Sequence, residues 1–513
     1  MGTTIPDNVL STFSRFVERN MGLSFPKEKW SDLERGIRSA ASEFSAGDAE
    51  SCIKWLMSSR LSKCQVETLA SHLTVGETHF FRDRKCFDIL EKHIIPGLVR
   101  SRVGNEQNIR LWSAGCATGE EPYSLAILIR RIISDLRNWN ITILATDINP
   151  GFLQKAKQGV YSEWSFRESP NWVKEHYFTK TAKGFELRKD IRNMVTFSYH
   201  NIIEDPFPSL SNNTNAMDII FCRNVLMYFS QERARDAVQH FYRCLASDGR
   251  LIVSAVETSQ TLFSEFHPIN YPGVILYRKT EAGEDAPSIA IPRKQVHPPQ
   301  PQTSEPGAGM AGGLSPVPPP AYTTIEPAPS VLDSYEEALQ SYRQGRYAET
   351  VEKITSLLSS DKAGGDNKGC VSLGAEGRLD AKAMSLLART YANQGRLSDA
   401  LLWCERAVAS DKMSSEFHYL LATILQEVGQ AEEAVAALKR TLYLDQDFVP
   451  AHFLLGNLTR QQGKFEESGK HFENALSILK ARNQEDVLPE SEGMTAGRLH
   501  EIIRTMLETE SRR

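Results

Sequence analysis

The sequence predicts an α/β protein with a helical N-terminal region, a largely parallel sheet carrying a small antiparallel insert, and an all-helical C-terminal array. Three observations predict it. Between residues 105 and 280, short apolar runs alternate with helical segments, the order of a parallel sheet with crossover helices. Before residue 98, apolar positions recur at helical rather than alternating intervals. After residue 331, glycines and small residues recur every 34 positions.

The N-terminal helices are read at Leu10–Asn20, Trp30–Phe44, Ala49–Ser58, Cys64–Leu73 and Cys86–Leu98. The strands are read at Ile109–Trp112, Ile141–Ala145, Val195–Tyr199, Met217–Cys222, Leu251–Ala255 and Val274–Tyr277. Alternation breaks between about 158 and 195, where Tyr177-Phe178, Gly184–Leu187 and Val195-Thr-Phe197 suggest the antiparallel insert. Residues 281–330 hold 12 of the 24 prolines, including Pro316-Val-Pro-Pro-Pro320. Such a segment cannot pack as a core; as a flexible linker it spans on the order of 40 Å.

Composition excludes several classes. The 41% apolar and 24% charged content is that of a globular protein. No run of 18 apolar residues and no secretory pattern is present, so a cytoplasmic protein without membrane insertion is expected. Eight cysteines without a C-x-x-C pair predict a reduced compartment and no metal site. Residues 1–280 hold 35 Lys and Arg against 31 Asp and Glu, and the remainder 24 against 33. Neither half is basic enough to predict nucleic acid as a partner.

The chemistry concentrates in Ser113-Ala-Gly-Cys-Ala-Thr-Gly-Glu-Glu-Pro-Tyr-Ser124. It lies between a strand and a helix, and Gly115 and Gly119 let the backbone turn tightly and approach a ligand. The glycines are four apart and acids follow, unlike the G-x-G-x-x-G dinucleotide fingerprint. That favours a nucleoside carrying a cation, such as S-adenosylmethionine, with Glu120 and Glu121 placed to meet a ribose or an ammonium. Asp147, His200-Asn201-Ile202 and Phe221–Tyr228 all fall at strand carboxyl ends, where open parallel sheets bind ligands. Asp147 in that place commonly accepts hydrogen bonds from ribose hydroxyls.

In the C-terminal part, Gly395, Gly429 and Gly463 are 34 apart, and Ala388, Ala422 and Gly456 each lie seven before them. Ala338 and Gly345 repeat the offset after a surplus explained by a loop beginning at Ala363. Period and offsets resemble tetratricopeptide repeats, here four units stacked as a solenoid that serves either as a structural spacer or, the favoured reading, to capture a peptide or a helix.

The first 280 residues resemble the CheR family of chemotaxis receptor methyltransferases. The resemblance rests on Thr78-His-Phe-Phe-Arg82, Trp112–Ser124, Ala145-Thr-Asp-Ile148 and Phe221-Cys-Arg-Asn-Val-Leu-Met-Tyr-Phe229. It implies an N-terminal helical domain (1–98) and a Rossmann-like class I methyltransferase domain (99–280), ahead of the linker (281–330), the repeats (331–480) and a helical tail (481–513) read from the residues themselves. It implies methyl transfer from S-adenosylmethionine to glutamates on the cytoplasmic helices of a methyl-accepting receptor. Thr78, Arg82, Gly115, Glu121, Asp147, Asn201, Ile202, Arg223 and Asn224 are then cofactor residues. Arg82 and Tyr228 stand near the sulfonium and the incoming carboxylate. Arg82 either aligns that carboxylate or holds the cofactor's own. Arg35 and Arg38 are candidates for docking the receptor. One position departs: the family's Asn two residues before the threonine is Gly76 here. The alternative is a catalytically silent adaptor whose repeats bind a signalling protein, and the solenoid acts through such a partner or through the catalytic domain itself.

Overall fold

The structure is a computed structural model that describes residues 5–102, 107–210, 212–280, 331–363, 376–491 and 493–511. Four helices come first: α1 (Asp7–Met21), α2 (Trp30–Glu43), α3 (Ala49–Met57) and α4 (Lys63–Leu73). Leu10, Phe13, Val17 and Met21 fall on one face of α1 and meet Leu33, Ile37, Ile53 and Leu69 in a single core. Gly36 lets α2 approach α4, since a Cβ there would stand 2.5 Å from Leu73 Cδ2. α5 (Arg84–Ile89), a π turn at Leu90–Ile94 and α6 (Ile95–Arg102) then lead to the sheet.

The sheet part runs β1 (Asn108–Ala114), α7 (Glu120–Ile132), β2 (Asn140–Asp147) and α8 (Pro150–Gln158). The insert follows, with β3 (Val160–Tyr161), α9 (Asn171–Tyr177), β4 (Phe178–Thr181) and β5 (Gly184–Leu187). Then come α10 (Lys189–Arg192), β6 (Val195–Tyr199), β7 (Met217–Phe221), α11 (Gln231–Cys244), β8 (Leu245–Ile252), β9 (His267–Tyr271) and β10 (Val274–Arg278). The seven-stranded order is β6-β2-β1-β7-β8-β10-β9. The first five strands are parallel, and β10 is antiparallel to both neighbours. β1 is buried along its whole length, as a central strand covered on both faces must be. The chain leaves β1 toward β2 and β6, then returns to β7 on the other side. The order therefore reverses between β1 and β7, which opens a crevice at their carboxyl ends.

Two elements differ from the sequence reading. β9, where polar and apolar residues mix, is an additional edge strand. The run read as Leu251–Ala255 ends as a strand at Ile252, because Ser254 and Glu257 form a capping pair that starts a 3-10 turn at Ala255–Glu257. The insert is a three-stranded antiparallel sheet of β3, β5 and β4, and Val195–Phe197, read with it, instead pairs parallel with β2 in the main sheet. Its rings seize Phe80, which lies 4.9 Å from Tyr161 and 5.0 Å from both Phe166 and Phe178.

The helical array consists of α12 (Val331–Arg343), α13 (Tyr347–Ala363), α14 (Glu376–Asn393), α15 (Leu397–Ser410), α16 (Ser415–Val428), α17 (Ala431–Leu444), α18 (Val449–Gln461) and α19 (Phe465–Lys480), followed by α20 (Ala496–Ser511). Gly345, Gly395, Gly429 and Gly463 each turn the chain between the helices of a pair, at φ of 73°, 77°, 89° and 79°. Ala338, Ala388 and Ala422 are buried between helices. At Gly456 a Cβ would stand 2.6 Å from the Phe472 ring. The proline-rich stretch 281–330 and the surplus loop after Ala363 lie outside the described residues.

The array packs on the sheet part. Leu210, from the loop between β6 and β7, sits in the repeat core with Ala338, Leu387 and Tyr391. Glu427 of α16 lies 3.9 Å from Arg110 and accepts a hydrogen bond from Asn215 at 3.1 Å. α20 reaches back to α4, where Glu501 accepts from the Lys63 N–H at 2.9 Å. Among the described residues no helix is long and apolar enough to cross a membrane.

Candidate active site

The crevice between β1 and β7 is floored by the glycine bend. Gly115 and Gly119 adopt φ of 80° and 93°, and between them Ala117 adopts 45°, a conformation that disfavours any Cβ. The bend is pinned to the end of β2: Gly115 and Cys116 N–H groups donate to the Thr146 carbonyl at 2.8 and 2.9 Å. A Cβ on Gly115 would stand 2.3 Å from Val225 Cγ2, so glycine also lets the loop after β7 close over the bend.

Two carboxylates face this floor. Asp147 accepts from the Ala117 and Asn149 N–H groups, both at 2.8 Å. Burial pushes its carboxyl up to about 6, against the lowering by those backbone donors. A carboxylate has about four acceptor positions, so two stay available for a diol. Glu121 accepts from Ser113 Oγ at 2.8 Å and from Arg223 at 3.3 Å. Burial raises its pKa while the Arg223 guanidinium opposes the rise. The neighbouring Glu120, read with it as a ligand-facing pair, turns inward to Thr118 at 2.6 Å and Ser165 at 3.0 Å.

Two guanidinium groups complete the mouth. Arg223 is buried, donates to the Arg82 carbonyl at 2.9 Å and lies 3.6 Å from Asp83. Its Nε is buried with no partner among the described residues. Arg82 donates to the Glu77 carbonyl at 2.9 Å. The motif carrying Thr78 and Arg82 is strained, with Phe81 and Asp83 at φ of 56° and 64°, and Asn224 is likewise at 57°. Such conformations cost roughly 1–3 kcal/mol each and persist only where surroundings hold them.

Glu257 does that holding for the loop after β7, and the sequence reading missed it. Its buried carboxylate accepts from the N–H groups of Asn224 and Val225 (2.8 Å each), Met227 (3.2 Å) and Ser254 (3.0 Å), and from Ser254 Oγ (2.6 Å). The signal was available as Ser254-x-x-Glu257, a capping box.

The turn after β6 forms the far wall. Asn201 is buried and spans the gap to α1, donating from Nδ2 to the Asn20 carbonyl at 2.9 Å. Its Oδ1 accepts from the Ile203 N–H at 3.1 Å. The Asn201 side chain is therefore a brace, and Ile202 packs beside the core around Trp112. Tyr228 closes the loop against the N-terminal helices: its carbonyl accepts from Ser24 N–H at 2.7 Å, and Lys29 Nζ lies 5.9 Å from its ring. Among the described residues no hydrogen bond or ion pair joins the side chains of Arg82 and Tyr228. Gly76 faces Phe152, whose ring stands 2.5 Å from where a Cβ would be; an aromatic ring fills the space an Asn would need. Arg35 and Arg38 lie apart on α2, each paired within the helix, to Asp32 at 2.6 Å and Glu34 at 2.5 Å. They present neutralised pairs rather than a basic face.

Comparison with known proteins decides the family. The family described as CheR methyltransferase, SAM binding domain, matches residues 76–273. Chemotaxis protein methyltransferase 2 of Vibrio cholerae serotype O1 is 35% identical over 221 residues, covering 43% of this chain and 75% of that protein. This chain belongs to the CheR methyltransferase family. A chemotaxis protein methyltransferase of Borreliella burgdorferi is 30% identical over 261 residues, 50% of this chain and 90% of that protein. The probable biofilm formation methyltransferase WspC of Pseudomonas aeruginosa is 27% identical, over 55% of this chain and 64% of its own length. Tetratricopeptide repeats match residues 335–412, and the family of anaphase-promoting complex subunit 3 matches 393–475.

The protein is thus an S-adenosylmethionine-dependent methyltransferase of the CheR type, with C-terminal repeats. The crevice fits that cofactor chemically. It offers acids for a diol and an ammonium, an orphaned Arg223 donor for a carboxylate, and a glycine floor.

Proposed function

We propose that the protein methylates glutamate side chains on the cytoplasmic helical domain of a methyl-accepting receptor, giving glutamate methyl esters and S-adenosylhomocysteine. The observation that carries this reading is two guanidinium groups at one mouth: Arg223 pairs with Glu121 and donates to the Arg82 carbonyl, while the Arg82 guanidinium donates to the Glu77 carbonyl. A cationic mouth suits an anionic substrate group. Asp147 would accept from the ribose hydroxyls, Glu121 would meet the ammonium, and Thr78, Gly115, Asn201, Ile202 and Asn224 would line the pocket. When bound, S-adenosylmethionine supplies an electrophilic methyl on a sulfonium, with sulfur as the leaving group. A glutamate carboxylate is ionised near pH 7 and needs no general base. The nearby thiols fit that economy, since burial pushes Cys116 and Cys222 well above their ordinary range.

The residues then chiefly orient two reactants in line. Arg82 either aligns the incoming carboxylate or grips the cofactor's own. An Arg82→Ala variant separates these, through receptor KM in the first case and cofactor Kd in the second. Tyr228 would flank the transfer. Arg35 and Arg38 would dock receptor acids by exchanging their intrahelical partners. A cytoplasmic location follows from that substrate, and the solenoid would hold a second protein.

The test uses the full chain, methyl-labelled S-adenosylmethionine and a receptor cytoplasmic fragment. Label released as methanol by mild base is expected. Label that resists base, or calorimetry without heat on adding the cofactor, would overturn the reading; the second result favours an adaptor.

A further inference from the structure

One feature of the crevice is held from the opposite end of the chain. Arg498, on α20, donates to both oxygens of Asp205, from Nε at 2.7 Å and from Nη2 at 3.0 Å. Asp205 in turn accepts from the Asn201 N–H at 2.7 Å, and its own N–H donates to the Asn201 carbonyl at 2.9 Å. Asn201 to Asp205 is therefore a closed turn, and one carboxylate locks it. Bidentate guanidinium–carboxylate pairs fix direction as well as distance. The pair is nearly shut off from water, with side chains 14% and 6% exposed, so solvent does not replace it at low cost.

The surroundings give the contact a preferred position. The Arg498 guanidinium lies 5.0 Å from the Tyr199 ring, and Lys63 Nζ lies 4.5 Å from the same ring. Glu501, one turn on, takes the Lys63 N–H. His200 Nδ1 stands 3.8 Å from Asp205 Oδ2. Thus α4, the end of β6 and α20 meet around one carboxylate. The junction lies on the wall of the crevice beside the end of β2, where Tyr199 pairs with Asp147 in the sheet and the His200 N–H donates to the Asp147 carbonyl at 3.2 Å.

We propose that Arg498 is a positioning residue for the cofactor pocket. By pairing with Asp205 it fixes the Asn201–Asp205 turn, and S-adenosylmethionine affinity therefore depends on the C-terminal helix being docked. The inference rests on the reading that Asn201 and Ile202 line the cofactor site. In physical terms, an undocked helix lets the turn sample other shapes, and apparent affinity falls by the fraction of chains that keep the competent one. The C-terminal helix gains a role in the reaction without touching a reactant.

The experiment measures S-adenosylmethionine binding by calorimetry, and kcat and KM with the receptor fragment, on the full-length protein. Arg498→Ala is expected to raise the cofactor Kd about tenfold, with kcat at saturating cofactor within about twofold of the parent. Backbone amides of 201–205 should exchange faster with solvent in that variant. Arg498→Lys keeps the charge without the fork, and an intermediate increase of about threefold is expected. Arg60→Ala, which breaks the exposed pair to Glu485 in the same contact region, should leave Kd unchanged. If Arg498→Ala does not fold, Arg498→Lys decides alone. An unchanged Kd in the folded Arg498 variants, while Asp147→Ala weakens binding about 100-fold, would overturn the positioning role. An unchanged Kd in Asp147→Ala would instead sink the pocket assignment.

Discussion

Two walls of the crevice are built in opposite ways. The wall at the ends of β1 and β2 is assembled within one strand–helix–strand unit: the Gly115–Gly119 bend holds to Thr146 and Asp147, Ala117 reaching Asp147 30 residues on. The wall after β6 is assembled from afar. Asn20 braces it from the first helix and Arg498 from the last, 181 and 293 residues away. A locally made wall survives rearrangement elsewhere, whereas a remotely made one reports it. The first suits a part that must always grip. The second suits a part whose shape depends on the rest of the protein.

The comparison can be broken most sharply at Asp147. Replacing it with Ala should weaken S-adenosylmethionine binding about 100-fold, as expected for lost charge-assisted hydrogen bonds plus two unpaired backbone donors. Calorimetry reads this, and a smaller loss than for Arg498→Ala would invert the ranking of the two walls. Next comes the loop after β7. Glu257→Gln presents an amide to donors that now meet a carboxylate, and should lower unfolding free energy by about 2 kcal/mol, seen in denaturant melts.

A third test uses pH. Asp147 in the free protein titrates at about 6 because it is buried, and only its ionised form accepts both ribose hydroxyls. Affinity should hold steady above pH 7 and decline as pH falls through 6, to about tenfold weaker at pH 5. A flat profile would mean that Asp147 does not take the diol. The smallest effect belongs to the repeats. Gly429 has open space around it but a φ of 89°, so Gly429→Ala should cost about 1 kcal/mol of stability. It should leave cofactor affinity alone, because Gly429 lies outside the Arg498 junction.

Much of this was legible in the chain. The 34-residue spacing of Gly395, Gly429 and Gly463 specified the turns between paired helices, because each requires a left-handed backbone. Strand ends named Asp147 and Arg223, because a parallel sheet leaves its ligand site there. What escaped has a common cause. Glu120 and Glu121 are neighbours in sequence, yet one faces Ser165 and the other Arg223, a choice made by helix phase against distant partners. Arg35 and Arg38, read as candidates for docking the receptor, pair with Asp32 and Glu34 about one turn back, which spacing alone does not decide. The Asp205–Arg498 pair has no spacing to recognise, since packing of separate helices creates it. Phe152 facing Gly76 is the same kind of fact: a substitution in one motif met by a ring in another segment.

Leu210 carries a practical consequence. Its side chain, 8% exposed, is an oily knob lodged in the helical array although it belongs to the sheet half. Cutting the polypeptide at the proline-rich stretch to isolate the methyl-transferring part would uncover that knob and strip Arg110 of Glu427. Such a fragment invites self-association, and its solubility would misrepresent the intact protein.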